Sequence, residues 1–440
     1  MQGDLTFPFS GGPEMHLNLN VRGLKPSATV AINELSNELI AQGRRVLKLG
    51  LGQSPFPVPG PVVRTLRERA GEKDYLPVKG LRALREEVAE YVRREHGVGC
   101  SADNVIVGPG SKELMFLLQL VYYGEIVIPT PAWVSYQPQA RIIGRNVHFV
   151  QTALRNGWRL TAGELDEVCR LDPGRPRILI LNNPSNPTGA AYRLAELEAL
   201  AEVARKYRVV VLSDEIYAKL DHRGQHSSMV PLYPEGSIFS GGLSKWCGAG
   251  GWRLGVFVVP DGMRWLLDAM AAVASETFTS TSAPIQYAAV TAFRGGPEID
   301  AYLQRCCGIL RTLGNHLADL LEGAGARLAR PEGGFYLFPD FSPLRKALKK
   351  GGVADSATLS ARLLEEAGVA TLPGSEFGRP TGELTIRLSY VNFDGGAALE
   401  ALGDGPPAAE VSLEFIEQHC AETVEAVRRI CDWVSRKVAS

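Results

Sequence analysis

One lysine in this 440-residue chain keeps unusual company. Lys245 lies within "SGGLSKWCGAGGWRLG", Ser240 to Gly255, among glycines and small residues, with Arg253 eight positions on. Most lysines are solvated surface charges. Where the backbone carries no bulky side chains, a lysine amine can instead be held against a flat carbonyl compound and attack it. Other segments carry polar groups where apolar runs end. "GPGSKEL" puts Ser111 and Lys112 at a turn entering a helix. Free amides there would hold a phosphate, with Arg253 adding a charged fork, although glycine before a helix is also an ordinary turn. "SDEIY" puts Asp214 after "VVVL". Its carboxylate is poorly solvated and needs a cation, either a protonated pyridine nitrogen or a structural arginine. Tyr217, three residues on, and Asn186 in "NPTG" could donate to a phenolate oxygen. Asn186 could equally support the turn through Pro187 and Gly189. Trp133, in "PAWVSY", offers a flat face for ring stacking or for the core. Arg387, inside the apolar pattern "TIRLSY", needs a carboxylate from the protein or from a substrate.

Taken together these groups describe a bound aromatic phosphate with a ring nitrogen, a ring oxygen and an aldehyde. Pyridoxal 5'-phosphate carries all four features. Lys245 would bond its aldehyde, Asp214 would keep its ring nitrogen protonated, and the ring would then draw electrons.

Such groups need a scaffold. "NVIVGPG", "EIVIPTP", "RILILNNPSNPTG", "RVVVLSDEIY" and "SIFSGGLSK" each read as a strand ending in polar or glycine residues. "KELMFLLQLVYY" reads as a buried helix, and Leu194, Leu197, Ala201 and Ala204 form an apolar stripe at helical spacing. Unbroken Val, Ile and Leu runs joined by helical crossovers mean a mostly parallel sheet flanked by helices, an α/β domain. Functional groups in such sheets gather where strands end, so the five polar ends should meet in one pocket. From about residue 306 the pattern changes to a smaller α+β lobe. The division expected is an N-terminal arm over 1–20, a small domain from 21–57 with 306–440, and a large cofactor-binding domain over 58–305. "GDGPPAAE", Gly403 to Glu410, is a loop between helices.

Composition narrows the field. Forty-seven basic and 48 acidic residues leave a net charge of -1, which favours neither nucleic acid nor an anionic membrane. No run of eighteen apolar residues occurs, and "MQGDLTFPFSGGPEMHLN" does not read as a secretory signal. The seven cysteines are scattered and form no CxxC, which argues against a disulfide framework or a metal site and fits a cytoplasmic protein. The vicinal Cys306 and Cys307 read as packing on a helix.

The chain resembles the class I/II aminotransferases of pyridoxal-phosphate fold type I. "GLSKWCGAGGWRLG" matches that family's lysine signature at every defined position, and "YLPVKGLRALRE", "NNPSNPTG", "SDEIY", "PGSEFG" and "RLSY" match in family order, over about residues 20 to 400. "VRGLKPSATVAINELSNEL" is similar to the bacterial branch holding aspartate and prephenate aminotransferases. The resemblance implies that Lys245 bonds the cofactor and then shuttles a proton, that Asp214 pairs with the pyridine nitrogen, and that Tyr217 and Asn186 bond the ring oxygen. It implies Trp133 over the ring, and Ser111, Lys112 and Arg253 around the phosphate, with Ser244 near it. Tyr75 would reach the phosphate from a neighbouring subunit, which makes the unit a homodimer with shared sites. Arg387 would clamp the substrate α-carboxylate, with Gly52 and Phe335 lining the substrate side. A lysine at the Lys112 position can recognise a distal carboxylate, favouring an acidic amino donor. The family usually has Glu-Pro-Asp-Phe after the substrate-side glycine, whereas Gly52 is followed by "QSPF". Gln53, Lys112 and the Phe278 to Ser282 loop are therefore the candidates for specificity.

The expected reaction is amino transfer between an L-amino acid and a 2-oxo acid by a ping-pong mechanism. A β-lyase, decarboxylase or oxidase on the same scaffold is the alternative, as is an aminotransferase for aromatic or aliphatic amino acids, because fold and cofactor do not fix which bond breaks. A DNA-binding regulator on this fold would need a basic helix, and the first twenty residues carry none.

Overall fold

The computed structural model describes residues 16–403 and 411–439. Residues 1–15 of the expected arm and residues 404–410 of the expected loop lie outside the described residues. The first strand, β1 (Leu47–Lys48), belongs to a small outlying sheet, and the next seven build the main one. They are β2 (Val105–Gly108), β3 (Glu125–Thr130), β4 (Val147–Gln151), β5 (Arg177–Asn182), β6 (Val210–Asp214), β7 (Ser237–Gly242) and β8 (Gly255–Val258). Their order across the sheet is β2-β8-β7-β6-β5-β3-β4.

The pairings β3–β4, β3–β5, β5–β6 and β6–β7 are parallel, while β8 runs antiparallel to both β7 and β2. The mostly parallel sheet is thus present, with one reversed strand. The chain returns from β7 to β8 through the Lys245 loop without a crossover helix, and a strand that returns directly must run antiparallel. Alternate residues of the apolar runs feed two cores on opposite faces. Ile178 and Ile180 join one, Leu179 and Leu181 the other. Burial on both faces is what an unbroken apolar run demands, and each such side chain contributes about 1.5–3 kcal/mol. The helix Leu194–Lys206 buries Leu197, Ala201 and Ala204 as its stripe predicts, together with Leu200, while Leu194 in its first turn is 53% exposed.

The remaining strands are β9 (Tyr336–Leu337), β10 (Val369–Ala370), β11 (Leu372–Pro373) and β12 (Ile386–Ser389). β1 pairs with β10, so the segment before residue 58 joins the C-terminal part of the chain. β12 lies between β11 and β9 with Arg387 opposite Leu372 and Ser389 opposite Tyr336. Arg379 ties this small sheet to the main one. Its Nη1 donates to the carbonyls of Thr130 and Thr152 at 3.1 and 3.0 Å, its Nη2 meets Glu383 at 2.7 Å, and its guanidinium lies 4.7 Å from the centre of the Trp158 ring. Cys306 and Cys307 both lie in the helix Pro297–Gly323, and all seven cysteines are free thiols. Among the described residues no helix is long and apolar enough to cross a membrane.

Candidate active site

The ends of the strands meet the small sheet around a cavity of about 530 Å³. Asp214 closes β6, Asn182 closes β5, and Lys245 follows β7 by three residues. Ser111 opens the helix Ser111–Val121 after β2, and Trp133 follows β3. Arg387 and Tyr336 come from the small sheet. All of these residues line the cavity, as do Gly52, Gln53, Lys112, Asn186, Tyr217, Ser244 and Arg253.

Lys245 donates from Nζ to the carbonyl of Gly52 at 2.7 Å. Its Nζ lies 5.8 Å from the centre of the Tyr217 ring and 5.9 Å from that of Phe335. Burial, then the charges of Arg387 and Arg253, brings its pKa down to about 8. A substantial neutral fraction at ordinary pH makes this amine a nucleophile and a base.

Asp214 is 3% exposed. Tyr136 donates to its Oδ2 at 2.6 Å and Ser240 to its Oδ1 at 3.5 Å. Burial is the largest influence on its carboxyl and pushes the pKa up to about 6 despite these donors. A carboxylate with such neutral partners is set up to receive a cation from the cavity. Asn182 braces it, donating to the Asp214 carbonyl at 2.9 Å and accepting from the Asn186 amide at 2.7 Å.

The helix Ser111–Val121 has no side-chain cap at its N-terminus, where Gly110 adopts the left-handed φ of 90°. The strands press close here. A Cβ at Gly255 would fall on the backbone nitrogen of Ser111, so only glycine fits. Arg253 reaches the same end of the cavity, donating to the carbonyls of Gly250 and Pro109 at 3.0 and 3.3 Å. Uncapped amides with a guanidinium beside them form an anion cradle. Lys112 lines the cavity while remaining exposed to solvent. Its Nζ lies 5.2 Å from the centre of the Trp133 ring, and partial desolvation followed by the charge of Arg253 lowers its pKa.

Arg387 is 1% exposed. Among the described residues its hydrogen-bond partners are neutral: Asn186 Oδ1 at 3.3 Å and the Gly50 carbonyl, and its Nε has none. Of the two alternatives for this arginine, a protein carboxylate is not what the structure supplies. A buried guanidinium facing a cavity without a carboxylate is a receptor for one.

Three expectations are altered. Phe335 is fully buried in the core and packs edge-on to Tyr217 at 5.7 Å, and the cavity wall is formed by its neighbour Tyr336. Successive residues of an extended strand face opposite ways, so a shift of one residue exchanges wall for core. Phe278 to Ser282 do not line the cavity. Tyr75, expected at a neighbouring subunit's site, is 90% exposed and lies outside this chain's own cavity, which leaves that expectation untouched. Tyr217 and Asn186 reach the cavity already engaged, Tyr217 to the Tyr336 hydroxyl at 2.8 Å and Asn186 to Arg387. Tyr136 and Tyr336 escaped sequence reading. Tyr136 stands inside "PAWVSY" and Tyr336 directly after Phe335, but an apolar neighbourhood made their hydroxyls look like core.

The sequence profile of the family described as aminotransferase class I and II matches residues 44–394. The chain belongs to the class I and II aminotransferases. It is 35% identical over 387 residues to the aspartate aminotransferase of Geobacillus stearothermophilus, covering 86% of this chain and 94% of that one. It is 34% identical over 383 residues to the aspartate/prephenate aminotransferase of Thermus thermophilus, covering 86% and 95%. The solved structure of the Thermus thermophilus aspartate aminotransferase with maleate superimposes with a TM-score of 0.80 at 31% identity, covering 94% of this chain and 99% of that chain. This aminotransferase therefore shares the fold-type I architecture, and its five strand-end segments form the cavity described above.

Proposed function

We propose that this aminotransferase uses pyridoxal 5'-phosphate to move an amino group from an acidic L-amino acid, aspartate or glutamate, to a 2-oxo acid. The residues fit the cofactor. Asp214 is a buried carboxylate lacking a cation, the helix Ser111–Val121 offers uncapped amides beside Arg253, and Trp133 gives the cavity a flat wall. Pyridoxal phosphate, when bound, supplies an aldehyde and a protonated ring that takes up the electron pair left at the amino acid α-carbon.

The chain's own groups do the rest. Asp214 holds the ring nitrogen in its charged form, and Ser111, Ser244 and Arg253 hold the phosphate. Arg387 receives the substrate α-carboxylate as a bidentate fork and fixes which bond at the α-carbon stands towards Lys245. Lys245 Nζ, with its lowered pKa, takes the α-proton and delivers it across the C–N bond. Lys112 at the far wall takes the distal carboxylate, which favours acidic donors. The mechanism is ping-pong, one amino acid leaving as its 2-oxo acid before the second acceptor enters. Tyr75 is free to serve the site of a second copy, so we assign a homodimer, and seven free thiols suit a cytoplasmic setting.

The observation that carries this reading is the meeting, in one cavity, of the Lys245 amine, the buried Asp214 carboxylate and an Arg387 guanidinium without a carboxylate partner. The test is the visible spectrum of the protein with pyridoxal phosphate, before and after single amino acids are added without an acceptor. Conversion by aspartate or glutamate is expected. Conversion only by aromatic or aliphatic amino acids would keep the transaminase and discard the acidic donor. Release of CO2, or of pyruvate with ammonia, would indicate a decarboxylase or lyase, and absence of any cofactor band would end the reading.

A further inference from the structure

Tyr336 lies between the two halves of the site, and none of the roles above uses it. Its ring is 1% exposed and faces Arg387, whose Cζ stands 4.9 Å from the ring centre. Phe377 offers a second ring to the same guanidinium at 5.1 Å. Two aromatic rings therefore hold a buried charge that has only neutral hydrogen-bond partners. The hydroxyl end of Tyr336 sits beside Gly52, where a Cβ would strike it, and meets the Tyr217 hydroxyl at 2.8 Å. Gly52 in turn accepts from Lys245 Nζ. One side chain thus touches the carboxylate receptor, the hydroxyl of Tyr217 and the backbone that receives the lysine amine.

We propose that Tyr336 is a positioning residue that couples occupancy of the Arg387 carboxylate site to the hydrogen bond Tyr217 can give the cofactor. The inference rests on the cofactor reading above. Each phenol has one hydrogen to donate. If Tyr217 gives its hydrogen to Tyr336, none is left for the cavity. If Tyr336 donates, Tyr217 is free to donate onward and does so more strongly, because linked hydrogen bonds polarise each other. The direction is set by which phenol is the better donor. Arg387 lies over the Tyr336 ring, and its charge favours loss of hydrogen density from that hydroxyl. The pKa of Tyr217 is pushed well up, first by burial and then by Tyr336 itself. With Arg387 uncompensated, Tyr336 donates and Tyr217 faces the cavity. A carboxylate on Arg387 cancels the charge, weakens Tyr336 as a donor and loosens the Tyr217 bond to the ring oxygen. Substrate capture would thereby relax the hydrogen bond that Tyr217 can give the cofactor.

The test is a linkage measurement with maleate as an unreactive dicarboxylate. The dissociation constant of pyridoxal phosphate from the apoprotein is measured with and without saturating maleate, for the wild type, Tyr336→Phe, Tyr217→Phe and the double variant. Maleate is expected to raise the wild-type constant several-fold. Tyr336→Phe keeps the ring, so the maleate affinity of the apoprotein stays within about threefold, but the ratio of the two cofactor constants falls at least threefold. Tyr217→Phe lowers the ratio equally, and the double variant lowers it no further. A ratio unchanged in Tyr336→Phe, or additive losses in the double variant, would overturn the proposal. So would a wild type that binds both ligands with no mutual effect. Failure of the apoprotein to bind pyridoxal phosphate at all would instead strike the cofactor reading, so the two failures are distinguishable. Tyr336→Leu serves as the control for the ring, and it alone should weaken maleate binding by tenfold or more.

Discussion

Asp214 should cost the cofactor-free protein stability, and the cost can be worked from its surroundings. The carboxylate is 3% exposed, and its donors, the hydroxyls of Tyr136 and Ser240 and the amide of Ile216, carry no charge. Burial lifts its pKa from an ordinary 3.8 to about 6. A folded-state value above the unfolded one means that the stability Asp214 provides is full below 3.8 and is lost as the pH rises through about 6. At about 1.4 kcal/mol per pH unit, that gap corresponds to roughly 3 kcal/mol lost by pH 8. Asp214→Asn removes the charge while its amide fits the Tyr136 hydroxyl less well, so the net gain should be about 1–2 kcal/mol. Urea unfolding of the apoproteins at pH 4 and pH 8, extrapolated linearly, reads this directly. The hydrogen-bond mismatch does not titrate, so the stability of Asp214→Asn relative to wild type should rise by about 2–2.5 kcal/mol from pH 4 to pH 8, while its affinity for pyridoxal phosphate falls. A difference that stays flat over this range would mean that the carboxylate is already compensated in the apoprotein. The case for an incoming cation would then fail.

Other expectations follow from the same geometry. Lys245→Ala should abolish turnover and leave no cofactor attached after borohydride reduction, as judged by intact mass; near-normal multiple turnover would contradict its role as nucleophile and proton carrier. Lys112→Ala should lower kcat/KM for aspartate about 10–100-fold relative to alanine, since one charged hydrogen bond is worth about 1.5–3 kcal/mol; an equal loss for both substrates would place Lys112 at the phosphate instead. Arg379→Ala removes the Arg379 donor from the Thr152 carbonyl and from Glu383, while the Thr130 carbonyl keeps the Thr152 amide and hydroxyl, and should cost about 2–4 kcal/mol in urea unfolding. It should also raise the KM for amino acids, because the loop it pins leads into the hairpin bearing Arg387.

The behaviour of Asp214 and Lys245 has a common source. Both are ionisable groups held where water is scarce, and their pKa values move in the directions that make each less charged, to about 6 and about 8. A site so arranged is destabilised until a ligand brings the opposite charges.

Much of this enzyme was legible in its sequence because its information is local. Unbroken Val, Ile and Leu runs fix strands buried on both faces, and polar residues at strand ends stand out against apolar runs. The lysine signature works likewise, since Lys245, the glycines and Arg253 lie on one short loop. What the tertiary structure alone decided were relations between segments far apart in the chain. Nothing near "TIRLSY" announces that Arg387 meets neutral oxygens of Gly50 and Asn186, or that Tyr336 rather than Phe335 faces the cavity. The reversed direction of β8 depends on how the Lys245 loop folds back. Tyr136 and Tyr336 carry polar groups on large apolar rings, so sequence patterning assigns them to the core. Only the tertiary packing shows that the Tyr136 hydroxyl turns to Asp214 and that of Tyr336 to Tyr217. Strand identity follows from the nearest few residues, whereas the direction of a side chain follows from whatever the fold brings opposite it.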